Sequence, residues 1–164
     1  MSGPSEERGP LYREARPADR ERLWRLDRLC FEPGIAYSRR ELERFLEFPR
    51  AACLVAESGP NLCGFVLAYR EPSEIVHLVT LDVHPDWRRQ GVGRRLLESI
   101  LAGAVTAGAK RAVLQVDVRN SGAIAFYRTF GFRRSGRLSS YYAPGLDAFE
   151  MSSDLSARPV TRSS

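Results

Sequence analysis

Apolar residues along this chain recur at two spacings, and the switches between them set out an order of strands and helices. Leu11 to Arg16 alternates apolar and polar side chains and reads as a short first strand. Pro17 to Cys30 puts Leu23, Leu26, Leu29 and Cys30 on one helical face, with Pro17 in the first turn. Phe31 to Tyr37 contains Pro33-Gly34 and reads as a loop; Ser38, with Glu41 three residues on, forms a capping box for a second helix. Ala51–Ser58 and Leu62–Tyr69 are apolar strands joined by the hairpin signal Gly59-Pro60-Asn61. Glu74–Val83 is a long strand ending at His84-Pro85. Gly91–Ala107 carries the helical stripe Val92, Leu96, Leu97, Ile100, Leu101 and Val105. Arg111–Val118 reads as a strand, Asn120–Phe130 as a helix, and Phe132–Leu138 and Leu146–Leu155 as strands.

This order predicts an α/β (α+β) fold, a central mixed but mostly antiparallel sheet of about seven strands flanked by about four helices. The strand–helix–strand unit from Glu74 to Val118 requires its two strands to be parallel neighbours. Residues 1–10 are polar and proline-rich and read as disordered, 11–155 as a single domain, and 156–164 as a loose tail.

Composition narrows the class. The 164 residues suit one domain, and 43% apolar residues suffice for a core. No stretch approaches the ~20 apolar residues of a membrane span; the nearest, Leu96 to Ala109, is broken by Glu98. Met1 to Arg8 has no apolar signal-peptide core behind it, so a cytoplasmic location is expected, with no membrane partner. Cys30, Cys53 and Cys63 lack metal-ligand spacing and each lies in an apolar segment, which predicts reduced, buried thiols and no metal. The net charge is +5 and Lys110 is the sole lysine, but the arginines are spread beside glutamates, as in Glu41-Leu42-Glu43-Arg44. That is the pattern of solvated helix faces, and no nucleic-acid partner is expected.

The chemistry concentrates after His84-Pro85. In Arg88-Arg89-Gln90-Gly91-Val92-Gly93, the glycines let backbone N–H groups approach an anion at the start of a helix. Arg88, Arg89, Arg94 and Arg95 add positive charge around the turn. A Walker loop would need Gly-Lys-Ser/Thr, which is missing, and a dinucleotide fingerprint would need glycine where Leu96 stands.

The stretch Val83-His84-Pro85-Asp86-Trp87-Arg88-Arg89-Gln90-Gly91-Val92-Gly93 resembles the signature of the GCN5-related N-acetyltransferases, Arg/Gln-x-x-Gly-x-Gly/Ala. A second signature follows in order: Asn120-x-x-Ala123-x-x-x-Tyr127-x-x-x-Gly131-Phe132. Tyr141-Tyr142-Ala143-Pro144-Gly145-Leu146-Asp147-Ala148 is similar to the Tyr-Tyr-x-x-Gly-x-Asp-Ala stretch of the RimI-like and Ard1-like branch, which acetylates protein N-termini. The resemblance implies acetyl-CoA as cofactor, held by Leu81, Val83, Arg88, Arg89, Gln90, Gly91, Val92, Gly93, Arg94, Asn120 and Tyr127. It implies direct attack by the amine in a ternary complex, without an acyl-enzyme.

Within that frame Tyr127 stands at the position of the acid that protonates the coenzyme A sulfur. A phenol with an ordinary pKa of ~10 is protonated at neutral pH and can donate to a thiolate. The resemblance assigns the oxyanion donor to the Val83 N–H, freed by a bulge at the strand's end. The branch carries a base glutamate in a Leu-Glu-Val step, but here the step reads Leu114-Gln115-Val116. His77, early in the preceding strand, takes the base role, through a water oriented by Gln115, since imidazole titrates near neutral pH. Asp117 is the rival, and a water chain the other alternative. Asn120 caps its helix as well. Phe31, Tyr37, Asp117, Tyr141 and Tyr142 are expected to line the acceptor groove. The acceptor is a protein or peptide N-terminal amine, with a small amine or a non-catalytic CoA-sensing module as alternatives, in a monomer or homodimer.

Overall fold

A computed structural model describes residues 9–158. Its elements are β1 (Leu11–Glu14), α1 (Arg20–Cys30), α2 (Arg39–Leu46), β2 (Ala51–Ser58), β3 (Asn61–Arg70), β4 (Ile75–Val83), α3 (Val92–Thr106), β5 (Arg111–Asp117), α4 (Ser121–Thr129), β6 (Arg133–Ala143) and β7 (Leu146–Asp154). The strands form one sheet in the order β1-β2-β3-β4-β5-β7-β6. Every neighbouring pair is antiparallel except β4 and β5, the two strands joined through α3. This is the architecture expected from the sequence. The expected disorder of residues 1–8 and the looseness of residues 159–164 lie outside the described residues. Within the tail, Arg158 is tied down, its Nη2 donating to the Phe130 carbonyl at 2.8 Å.

The sheet carries a core on each face. Leu96, Leu97, Leu101, Leu114, Phe132 and Met151 close the face under α3 and α4, while Leu23, Leu42, Val55, Phe65 and Leu67 close the face under α1 and α2. Each such side chain contributes about 1.5–3 kcal/mol by leaving water.

Local signals act as expected at the caps. Ser38 Oγ accepts from the Glu41 N–H at 3.1 Å, and the Glu41 carboxylate accepts from the Ser38 N–H at 2.8 Å. Asn120 Oδ1 accepts from the Ala123 N–H at 3.1 Å and opens α4.

Three boundaries differ from expectation. The first strand ends at Glu14 rather than Arg16, and residues Pro17–Asp19 form a 3-10 turn, so α1 starts only at Arg20. The cause is Asp19, whose carboxylate accepts the Arg16 N–H at 2.7 Å and pairs with Arg13 and Arg22, each at 2.8 Å. β6 runs on to Ala143 instead of stopping at Leu138. It is an outer strand with mostly exposed residues, so it lacks the alternation that marks a half-buried strand.

The bulge falls elsewhere than expected. Leu67 pairs with Thr80 and Ala68 with Leu78, so Val79 is the extra residue, four positions before Val83. Val79 and Thr80 both turn toward the α1–α2 side as a result. The pairing of β4 with β5 ends one residue earlier, at Leu78 and Leu114. Beyond that point β4 follows β3 and β5 follows β7, and the sheet splits.

Candidate active site

The split between β4 and β5 opens a cleft of about 740 Å³. Its wall on the β4 side is backbone. His84 donates its N–H to the Cys63 carbonyl at 2.8 Å, so the antiparallel alternation turns Asp82 and Thr80 toward β3. The N–H groups of Leu81 and Val83 consequently face the gap.

At one end of the cleft stands the N-terminus of α3. Arg89 and Gly91 hold positive φ angles of 61° and 81°, which turn the chain into the helix. The first intrahelical bond runs from the Arg95 N–H to the Gly91 carbonyl at 3.0 Å. The N–H groups of Val92, Gly93 and Arg94 therefore have no helical partner and, with the helix dipole, offer an anion site. Gly93 allows the close approach: a Cβ there would lie 3.3 Å from Val83 Cγ2 and 3.8 Å from the Phe126 ring. Gln90 and Arg88 are used locally, Gln90 Nε2 donating to the Asp86 carbonyl at 3.1 Å and Arg88 Nε to the Val83 carbonyl at 3.2 Å. Arg95 does not belong to this end. Its guanidinium lies 4.3 Å over the Tyr12 ring, and it does not line the cleft.

Residues 20–132 match the acetyltransferase (GNAT) family. The chain belongs to the GNAT acetyltransferase family. It is 31% identical over 155 residues to an N-alpha-acetyltransferase of Sulfurisphaera tokodaii, covering 87% of this chain and 92% of that protein. It is 33% identical over 145 residues to the N-alpha-acetyltransferase RimI of Mycobacterium tuberculosis, covering 84% and 87%. An uncharacterized protein of Mycobacterium leprae, ML0378, is 34% identical over 141 residues, and this chain spans 38% of its length. Among solved structures, Ard1 from Thermoplasma volcanium superposes with a TM-score of 0.82 at 23% identity, over 90% of this chain and 98% of that one. Arabidopsis thaliana NAA60, solved in complex with acetyl-CoA, superposes with a TM-score of 0.75 at 22% identity, over 89% and 98%.

In this GNAT chain the cleft wall on the α4 side holds Tyr127, 9% exposed and packed edge-on against Phe126 and Phe132 at 5.5 and 5.7 Å. Burial pushes its phenol well above the ordinary range, so it stays protonated. Asn120 lines the same wall. The far end is aromatic. Tyr141 and Tyr142, 4.9 Å apart at the end of β6, face Phe31 and Tyr37 from the loop after α1. Tyr37 donates its hydroxyl to the Val79 carbonyl at 3.3 Å. The hairpin bearing Tyr141 and Tyr142 is held by Asp147, which accepts the Ser140 N–H at 2.8 Å and pairs with Arg137 at 2.9 Å.

His77 departs from its expected place. It does not line the cleft; Gln115 does. His77 Nε2 is hydrogen-bonded to Gln115 Oε1 at 2.7 Å and its Nδ1 to the Tyr69 hydroxyl at 3.0 Å, with the two rings stacked at 5.1 Å. Glu71 lies 4.0 Å from Nδ1, and Gln115 Nε2 reaches Glu150 at 3.5 Å. The register explains the offset, because His77 pairs with Val113 while Gln115 sits two residues further toward the split. Asp117 does line the cleft, but its carboxylate is bound by Arg119 at 2.7 Å, which holds it below the usual carboxylate range and weakens it as a base.

Two features of the site had no local signal. Arg119 also binds Glu32 of the loop after α1, tying that loop to the end of β5. Cys30 lines the cleft as well as packing against the core; its thiol donates to the Val83 carbonyl at 3.4 Å, and burial pushes it up to about 12, which removes it as a nucleophile.

Proposed function

We propose that this chain transfers the acetyl group of acetyl-CoA to the α-amine of a protein or peptide N-terminus. The observation that carries the reading is a single cleft with two unlike ends, one rich in free backbone N–H groups and arginine, the other walled by tyrosines. The orphan N–H groups of Val92, Gly93 and Arg94, with Arg88 and Arg89 beside them, suit a pyrophosphate. The backbone edge of Leu81 and Val83 suits an extended amide-bearing arm, which can pair with it as a strand would. Bound there, acetyl-CoA supplies an activated thioester.

The chain's own residues supply the rest. One N–H group of this edge pairs with the arm, and the other is the donor aimed at the developing oxyanion. Tyr127 keeps its proton until the sulfur leaves and then donates it. The amine's proton passes through a water at Gln115 to His77 Nε2, with the imidazole in the tautomer whose Nδ1–H donates to the Tyr69 oxygen and the Gln115 amide turned aside, and Glu71 and Glu150 stabilise the resulting positive charge. Tyr37, Tyr141 and Tyr142 clasp the backbone of an extended acceptor, and the Glu32–Arg119 pair closes the loop around it. A reducing cytoplasmic setting fits the three free thiols.

Thiol release from acetyl-CoA tests this, using peptides with free N-termini, the same peptides Nα-blocked, and small amines including a polyamine and an amino sugar. Turnover confined to free peptide N-termini is expected. Turnover of small amines alone, or of blocked and free peptides equally, overturns the acceptor assignment; micromolar cofactor binding with no turnover overturns catalysis.

A further inference from the structure

Two carboxyls under the cleft take no part in the roles assigned above. Asp27 on α1 and Asp82 on β4 are each 0% exposed. Asp27 Oδ2 accepts the Tyr37 N–H at 2.7 Å, and Asp82 Oδ1 accepts the Thr80 hydroxyl at 2.5 Å. The remaining oxygens, Asp27 Oδ1 and Asp82 Oδ2, have no donor among the described residues. The two carboxyls lie close enough for each to act on the other's charge. Two ionised carboxylates cannot stay so close without a cation, and a buried polar atom without a partner costs about 1–3 kcal/mol. One proton between them removes both difficulties.

Arg88, from the turn before α3, is the cation that faces Asp82, and it is bonded to the Val83 carbonyl. Glu41 of α2 faces Asp27, and the Cys30 thiol, the Cys53 thiol of β2 and the Tyr37 and Tyr127 phenols lie near the pair. Burial keeps each of those thiols and phenols neutral.

Tyr37 is thus held at both ends, its N–H by Asp27 and its hydroxyl by the Val79 carbonyl in the bulge. We propose that Asp27 and Asp82 share one proton and act as positioning residues, locking Tyr37 and the loop of residues 31–37 against β4 in the geometry that receives the acceptor. The acceptor part of this rests on the function proposed above; the shared proton does not. Burial and mutual repulsion raise Asp82 well above the carboxylate range. The folded chain therefore keeps a proton that the unfolded chain releases near pH ~4. The stability it contributes is fully present below that pH and is lost as pH rises through the folded value. With the proton gone, two buried charges push α1 from β4, and Tyr37 loses its anchor.

Carboxyl 13C NMR of the full chain labelled at aspartate tests the proton directly. At pH 7 one aspartate resonance is expected at the position of a protonated acid, and it disappears in Asp82→Asn. Finding every aspartate ionised at pH 7 overturns the proposal. Amide exchange over residues 31–37 tests the lock without turnover. As pH rises through the value at which the protonated-acid resonance is lost, wild-type protection should fall at least roughly tenfold more than in Asp82→Asn, whose amide donates to Asp27 at every pH. Parallel loss of protection overturns the positioning role. In the thiol-release assay the acceptor KM should diverge between wild type and variant in the same way, with the acetyl-CoA KM unmoved. Parallel acceptor profiles overturn the link to the acceptor, while absent wild-type turnover counts against the proposed function alone.

Discussion

Replacing Gly64 by alanine probes how closely α3 is seated on the sheet beneath the anion end of the cleft. Gly64 lies on β3 opposite Val83. An added Cβ would stand 2.7 Å from the Asp82 carbonyl oxygen and 3.2 Å from both Val92 Cγ1 and Leu96 Cδ1. A Cβ essentially never comes within 3.0 Å of another heavy atom, so the backbone contact is short by at least about 0.3 Å. The Asp82 carbonyl is held in the β3–β4 ladder, and Val92 and Leu96 are 1% and 0% exposed, so no side can yield freely. Overpacking of this kind costs about 1–3 kcal/mol. For a chain of this size that lowers Tm by roughly 2–12 °C.

Because Val92 opens α3, relief of the clash lifts the helix N-terminus from the cleft. Loss of the helix-end contribution, about 0.3–1 kcal/mol, weakens acetyl-CoA binding roughly twofold to fivefold. Thermal melting and calorimetric titration with acetyl-CoA measure both. Gly103→Ala is the control: it lies in the same helix with nothing within 4 Å of its Cβ position. That change should stabilise by about 0.5–1 kcal/mol, since alanine favours a helix over glycine. A Gly64→Ala protein that melts with the wild type and binds cofactor equally would refute the reasoning.

Tyr127→Phe should lower kcat by roughly 10²–10⁴-fold and leave the acetyl-CoA Kd within about twofold, since the ring keeps its packing and loses one donor; a wild-type rate in single-turnover assays would remove Tyr127 from the acid role. His77→Ala should abolish the acidic limb of the pH–kcat profile, and a limb that survives moves the base to a water chain or to Asp117. Asp19 is held well below the usual carboxylate range, first by its hydrogen bonds to Arg13. Its stability contribution is therefore present above about pH 4 and lost as pH falls below it, so the Tm gap between wild type and Asp19→Asn should shrink on acidification; a constant gap from pH 7 to pH 3 would contradict the linkage.

The elements and the anion end were legible in the sequence because their causes are local. Gly91 and Gly93 stand where a helix opens, Ser38 and Asn120 cap the next residues along, and the stripe from Val92 to Val105 needs only the helical period. Where two local readings competed, tertiary bonds decided. The start of α1 moved because Asp19 is drawn to Arg13 across a turn, and β6 lengthened because its hairpin is tied by Asp147.

Sequence by itself determined that this chain is a GNAT-type α/β domain with a glycine turn at Arg88–Gly93 opening a helix, and singled out Tyr37, Tyr141 and Tyr142. Only the tertiary structure decided that the bulge lies at Val79, that His77 stands behind Gln115, that Arg119 closes on Glu32, and that Asp27 and Asp82 are both fully buried. These depend on partners far apart in the chain, 38 residues for His77 and Gln115 and 87 for Arg119 and Glu32. No spacing rule connects such residues. The meeting of His77 with Gln115 depends on strand register, and a shift of a single residue sends each side chain to the other face of the sheet.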